Sequence, residues 1–216
     1  MKRLNDHGLS FSAFSAAMRS GLAVPFAVTA FALAPSLRAQ EMVVTLDPAA
    51  TKIDFTLGAT MHTVHGTFKL KSGAIRFDPA TGKASGAVIV DATSGNTDNG
   101  SRDKKMQAEV LESAKFPEIA FTPAQVTGPI GDVVSGKGAQ LQVSGTVRVH
   151  GQEHPLTLAI AVDRPANGPL HASTKFAIPY VQWGLKNPSN FLLHVSETVD
   201  LDIEATGQIL PAAAGR

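Results

Sequence analysis

TDNGSRDKKMQAEVLESAKFPEIAF, Thr97 to Phe121, is the stretch that decides how the rest of the chain is read. Met106, Val110 and Ala114 recur at i, i+4 and i+8. Lys104, Lys105, Gln107, Glu109 and Glu112 fill positions around them, so the spacing predicts a helix with one narrow apolar stripe. Asn99 or Ser101 can cap its start. Pro117 is expected to end it, because the ring lacks an N–H and the residue before a proline favours an extended backbone. On chemistry alone this is a surface helix closing one end of a β fold, with Arg102 and Asp103 as ordinary first-turn residues.

Everything flanking that stretch in the exported part of the chain reads as strand. On the N-terminal side lie a short apolar run, Met42 to Leu46, and an alternating one, Lys52 to Leu57, with Ile53, Phe55 and Leu57 on one face. Thr63 to Lys71 sets Val64, Gly66, Phe68 and Leu70 against polar residues. Ser72-Gly73 is read as a turn into a further strand, in which Ile75 and Phe77 share a face. Ala84 to Asp91 is apolar on both faces at Val88, Ile89 and Val90. On the C-terminal side Ile119 and Phe121 pair on one face, and Thr127 to Gly138 reads as a loose Gly-rich excursion. Gln140–Val149 and His154–Val162 form a hairpin around HGQE. His171–Ile178 and Thr198–Ala205 complete nine or ten strands and one helix. Short connections and clean alternation argue for an antiparallel sheet with one wet face. So many strands are most easily housed by closing or sandwiching the sheet, and periodicity alone does not separate barrel from sandwich.

Four elements in order carry a resemblance. They are the opening from Asp47 to Phe55, the V-x-G-x-F run at Val64 to Phe68, the Thr97 to Phe121 stretch with Arg102-Asp103 and Lys115-Phe116-Pro117, and the hairpin element from Val143 to Gly151. Together they resemble the YceI-like polyisoprenoid-binding family across about Asp47 to Gly207. The resemblance implies an all-β fold, a single antiparallel lipocalin-like barrel of about eight to ten strands with one short helix inserted mid-chain, holding an isoprenoid chain.

The lining implied for such a barrel is Phe55, Leu57, Gly66, Phe68, Leu70, Ile75, Phe77 and Val88 from the first half of the chain. From the second half come Phe121, Val143, Gly145, Val147, Leu158, Ile160, Phe176 and Ile178. Gly66 and Gly145 fall on the apolar parity of their strands, where a glycine marks either a bend or a close approach by something else, such as a ligand. Tyr180, Trp183 and Phe191 lie in a Pro-bounded irregular segment and are read as either an aromatic plug or a mouth that touches a headgroup or membrane surface. Arg102 and Asp103 are assigned a structural role.

The N-terminus bounds location. Leu22 to Ala34 is a 13-residue uncharged run, too short to span a bilayer and suited to a secretory signal. Residues 1–39 are therefore expected to be a cleaved signal peptide, 40–210 the barrel domain and 211–216 a tail, with a periplasmic location. A start at Met18 would leave a compact basic region before the apolar run. Cleavage after Ala39 removes four basic residues and one acidic residue, leaving 15 basic and 17 acidic, a net charge of −2. No basic stripe with aromatics remains, so nucleic acid is not an expected partner. The chain has no cysteine, which removes disulfides and thiol chemistry.

Catalysis finds no foothold in a nucleophile elbow or a phosphate loop. His62 with His65, and His150 with His154, stand at suggestive spacings. They lack a helix or a third clustered ligand, so no metal is expected. The reading is a non-enzymatic carrier of an isoprenoid lipid, a quinone or a polyprenyl phosphate, with no cofactor beyond that bound lipid and with transient membrane contact as its partner surface. The alternatives are an envelope metal enzyme using those four histidines, and a stress-related protein-binding module with a filled core.

Overall fold

A computed structural model describes residues 40–212, apart from 61, 166, 167 and 192. The expected signal segment lies outside the described residues. Nine strands are formed in chain order: β1 Met42–Leu46, β2 Lys52–Gly58, β3 Thr63–Phe77, β4 Ala84–Asn96, β5 Glu118–Thr127, β6 Ala139–Val149, β7 Gln152–Asp163, β8 Leu170–Ile178 and β9 Val199–Pro211. Neighbours pair antiparallel in the order β3-β2-β9-β8-β7-β6-β5-β4, and β4 returns to β3, so the sheet closes into an eight-stranded barrel.

The ninth strand is half of a stave. β1 pairs with the last residues of β3 and β9 (Met42 with Phe77 and with Pro211), while β2 pairs with their other halves (Phe55 with Gly66 and with Leu201). Together β1 and β2 therefore make one interrupted strand between β3 and β9. The interruption follows from Asp47-Pro48, where Asp47 accepts a hydrogen bond from the Ala49 amide and turns the chain.

Two connections differ from expectation. Ser72-Gly73 does not turn. β3 runs straight through it, and register slips between Thr67 and Lys69 and between Leu70 and Ser72. The slips account for the switch of inward parity from Val64, Gly66 and Phe68 to Gly73, Ile75 and Phe77 that the sequence offered as a turn. The Thr127 to Gly138 segment, expected to be loose, contains a short helix, Ile130–Val134 (α2 below, the second helix in the chain), whose Ile130 and Val133 are buried. These two pack with Phe77, Val126, Leu141 and Ile209 and close one end of the barrel with an apolar cluster.

The other end is closed by the helical stretch and by residues 179–198. The first helix, α1, is Gly100–Lys105, capped by Asn99, whose Oδ1 accepts from the amides of Ser101 and Arg102. It does not run to Pro117. A π-helical turn, Met106–Val110, follows at once, and the chain leaves the helix at Leu111 and Glu112, the latter with φ +46°. The wider turn rotates the stripe, so Leu111 is buried and Ala114 is exposed, the reverse of the i+8 expectation. Leu111 packs with Val149, Tyr180 and Leu185. Residues 179–198 are tied across this end by a Lys186–Glu109 ion pair of 2.7 Å and by an Ala59–Val195 bridge, and to themselves by the Tyr180 hydroxyl donating to the Ser196 carbonyl at 2.7 Å.

Candidate functional site

Between the two closures the barrel is hollow. The cavity measures about 700 Å³ and is lined almost wholly by aliphatic and aromatic side chains projecting from every strand. That volume disfavours the filled-core alternative. It arises because inward positions are held by Val, Leu and Ile, which reach the wall but not the axis of an eight-stranded barrel.

Thirteen of the sixteen lining residues expected from sequence border this space: Phe55, Leu57, Phe68, Ile75, Phe77 and Val88 on one side, Phe121, Val143, Val147, Leu158, Ile160, Phe176 and Ile178 on the other. The remaining three, Gly66, Leu70 and Gly145, do not. At Gly66 the Phe55 ring lies across the backbone, and an added Cβ would collide with it and with the Asn96 carbonyl. Phe55 and Phe68 then meet with ring centroids 5.3 Å apart. At Gly145 an added Cβ would strike the Thr122 carbonyl and Pro123, where β5 slips register. Both glycines mark tight backbone approach rather than a ligand groove. Leu70 is buried beside the β3 slip without reaching the cavity.

The aromatic mouth divides. Tyr180 borders the cavity and is buried, with its phenol pushed up to about 12 by burial first and then by the Glu197 carboxylate. Trp183 lies outside the cavity, stacked on His154 with centroids 4.4 Å apart and ring planes 2° from parallel. Phe191 is 99% exposed and touches no part of the cavity.

The polar lining gathers at the α1 end. Thr97 is buried beneath α1, where its amide and hydroxyl donate to Asp103 Oδ1 at 2.9 and 2.6 Å. Arg102 donates from Nε to the Thr97 hydroxyl oxygen at 2.8 Å and from a terminal nitrogen to the Thr97 carbonyl at 2.7 Å. Asp103 thus ties β4 to α1 through Thr97. Arg102 does this and also borders the cavity, with Ser101, Lys105 and His62. Among the described residues Arg102 and Lys105 form no ion pair, and no aspartate or glutamate lines the cavity. The charge at the rim is therefore cationic, on a chain whose part beyond residue 39 carries a net −2. Halfway down the barrel Thr174 also faces the cavity, and its hydroxyl is buried without a hydrogen-bond partner.

The histidines do not converge. His62 sits at the rim, and His65 meets Thr56 on the outer wall at 3.2 Å. His150 pairs with Glu112 at 3.0 Å, and His154 is held by Trp183. Among the described residues no three His, Cys, Asp or Glu side chains assemble as metal ligands. Sequence reasoning missed Ser101, Lys105 and Thr174. The two cationic rim residues sit one turn apart, at i and i+3, and that spacing was the available signal.

Comparison with known families matches residues 44–207 to the YceI-like domain. The chain belongs to the YceI-like family. Protein YceI of Escherichia coli O157:H7 is 32% identical over 99 residues, and Protein YceI of Salmonella arizonae matches equally; each alignment covers 44% of this chain and about half, 47%, of the relative. A polyisoprenoid binding domain from Saccharophagus degradans, implicated in plant cell wall breakdown, superposes with TM-score 0.60 at 20% identity, covering 76% of this chain and 97% of that one. Burkholderia cenocepacia BcnA gives 0.58 at 13% identity (76% and 99% covered), and the Campylobacter jejuni YCEI protein 0.56 at 21% (69% and 87%). At these identities the likeness is one of fold, and YceI-like barrels share this architecture.

Proposed function

We propose that this YceI-like protein is a non-enzymatic, exported binding protein that carries or sequesters an isoprenoid lipid, tail in the barrel and headgroup at the α1 rim. The observation that carries the reading is the barrel cavity, whose lining among the described residues is predominantly apolar and cationic only at the α1 end. At about 30 Å³ per carbon group, close to a water molecule's share of liquid volume, the space takes on the order of twenty groups, or four isoprene units. Each unit contributes roughly 3 to 4 kcal/mol against water at ~0.8 kcal/mol per CH₂, before the costs of association. A bilayer solvates the same tail equally well, so net extraction depends on packing fit and on the headgroup. Transfer is then readily reversible.

Arg102, Lys105 and Ser101 present donors, with no carboxylate bordering the cavity among the described residues, which suits a polyprenyl phosphate and also serves the carbonyl oxygens of an isoprenoid quinone. Organic extraction and mass spectrometry of untagged protein purified from an envelope fraction test the proposal. A co-purifying prenyl lipid is the expected result, and protein that is empty and refuses added prenyl lipids overturns it. Intact mass of the same sample reads export: a chain beginning near Gln40 is expected, and one retaining Leu22 to Ala34 would refute a cleaved signal.

A further inference from the structure

We infer that the isoprenoid tail enters and leaves sideways, through the wall between β7 and β8, rather than end-on past the α1 rim; the inference rests on the lipid-carrier reading above. The ladder between these strands is short. Ala161 pairs with Ser173, Val162 with Ala172 and Asp163 with His171, and there it stops, at three residue pairs. β6 and β7 share eleven, and β8 pairs with β9 along its whole length. From Ile160 back to Gln152 on β7, and from Thr174 on to Ile178 on β8, each strand therefore lacks a partner on its facing side. The β4–β5 ladder is the next shortest, at four pairs, but an isolated Lys83–Gln125 bridge closes its far end, and β7–β8 has no such closure among the described residues.

The cavity reaches this seam. Leu156, Leu158 and Ile160 border it from β7, and Thr174, Phe176 and Ile178 from β8. Ser173 is exposed and stands on the outward parity of β8, yet it borders the cavity too, so the wall is thin where pairing ends. The composition of the seam suits an edge kept open without recruiting another strand. Pro155 on β7 has no N–H to offer, and Lys175 on β8 is turned to Asp202 of β9 at 2.6 Å. The other outward positions, Thr157, Ala159 and Ala177, are small and uncharged, and present little to repel an apolar surface.

Both ends are harder to pass. The α2 end is packed with buried apolar side chains, and the α1 end is crossed by residues 179–198 with the ties already described. The seam has its own tie at the top, the stack of His154 on Trp183, which joins the start of β7 to the segment that follows β8. A tail passing through the seam breaks none of the eleven β6–β7 pairs.

A staple tests this. Continuing the β7–β8 register places Thr157 opposite Ala177. The chain has no cysteine, so Thr157→Cys with Ala177→Cys can be joined after folding by a short bis-maleimide. A second protein carries the same link at the rim, between Glu109→Cys and Lys186→Cys, in place of the ion pair that already joins those positions and away from the cavity lining. Loading is measured by mixing each protein with phosphatidylcholine vesicles doped with ubiquinone or with undecaprenyl phosphate, pelleting the vesicles and assaying lipid in the supernatant. The seam link should slow loading at least tenfold and equally slow release from protein linked after loading, while the rim link leaves the rate within about twofold. Loading that is unchanged by the seam link, or slowed as much by the rim link, overturns the seam route and leaves the carrier reading standing. If the unlinked proteins take up neither lipid, from vesicles or from detergent, the carrier reading itself fails and the seam route with it.

Discussion

The two ends of the barrel are closed by different chemistry. At the α2 end Ile130 and Val133 plug an apolar cluster, and among the described residues no charged group borders the cavity there. At the α1 end an apolar cluster around Leu111, Tyr180 and Leu185 is overlaid by hydrogen bonds around Thr97, Arg102 and Tyr180 and by the Lys186–Glu109 ion pair, and among the described residues the only charged groups bordering the cavity lie there. One end is closed by apolar packing alone, and the other carries polar and cationic groups as well. The difference gives the cavity a direction, and a lipid in it should lie tail toward α2.

The contrast is tested most severely at the α2 end. Val133→Asp puts a carboxyl among buried apolar side chains with no partner and should cost about 3 to 4 kcal/mol, read as a fall in the urea midpoint. A midpoint within error of the parent would show that α2 does not close the barrel. Gly145→Leu, in the wall between the ends, should cost roughly 1 to 3 kcal/mol, because the new side chain meets the Thr122 carbonyl and Pro123. If the variant is as stable as the parent, the strand has room there.

At the polar end the effects are smaller and depend on pH. Folding holds Tyr180 in its neutral form, with the phenol raised from 10 to about 12. A raised value means the contribution is complete below about pH 10 and is lost as pH rises toward 12. The size is on the order of 1 to 2 kcal/mol after allowing for solvent access. Tyr180 is the only tyrosine in the chain, so its absorbance at high pH reports the ionisation directly. Tyr180→Phe should remove this alkaline loss, and persistence of the loss would assign it elsewhere.

Asp103→Ala should lower stability by about 1 kcal/mol (range roughly 0.5 to 2) through the two lost Thr97 bonds, measured by thermal melting. Unchanged melting with lost lipid binding would move Asp103 from the scaffold to the site. The smallest change in stability is expected for Lys105→Gln, within about 0.5 kcal/mol at this exposed position. The same variant should weaken undecaprenyl phosphate binding several-fold and ubiquinone binding little. Equal loss for both would mean that the rim does not read headgroup charge.

Strand alternation was legible in most strands, because one face is buried and the period is two; the inward parity of most of the thirteen lining positions follows from that, and their placement around a barrel interior came from the resemblance. What local pattern could not give were the irregularities. The β3 slip looks like a turn in sequence, since both shift the parity of the apolar residues. The π-turn at Met106–Val110 looks like ordinary helix, because a single widened turn leaves no compositional trace. Gly66 and Gly145 read as either strand bends or room for a ligand. In fact Phe55, from the neighbouring strand, occupies one, and the Thr122 backbone crowds the other, and these are contacts between residues distant in the chain. Closure into a barrel rests on the β3–β4 return, a pairing that period-two reasoning leaves open.

The broken stave formed by β1 and β2 has a consequence for the order of assembly. Both halves lie between β3 and β9, and β1 meets β9 across almost the whole described chain, Met42 against Pro211. Contacts so distant in sequence form late and slowly, since the loop entropy is lost before the pairing is gained. A chain threaded N-terminus first into another compartment would therefore hold β1 and β2 paired on one side only, with an open edge, until Val199 to Pro211 had arrived. The last strand to be delivered is the one that completes the wall, so the cavity cannot exist before the chain has been delivered almost whole.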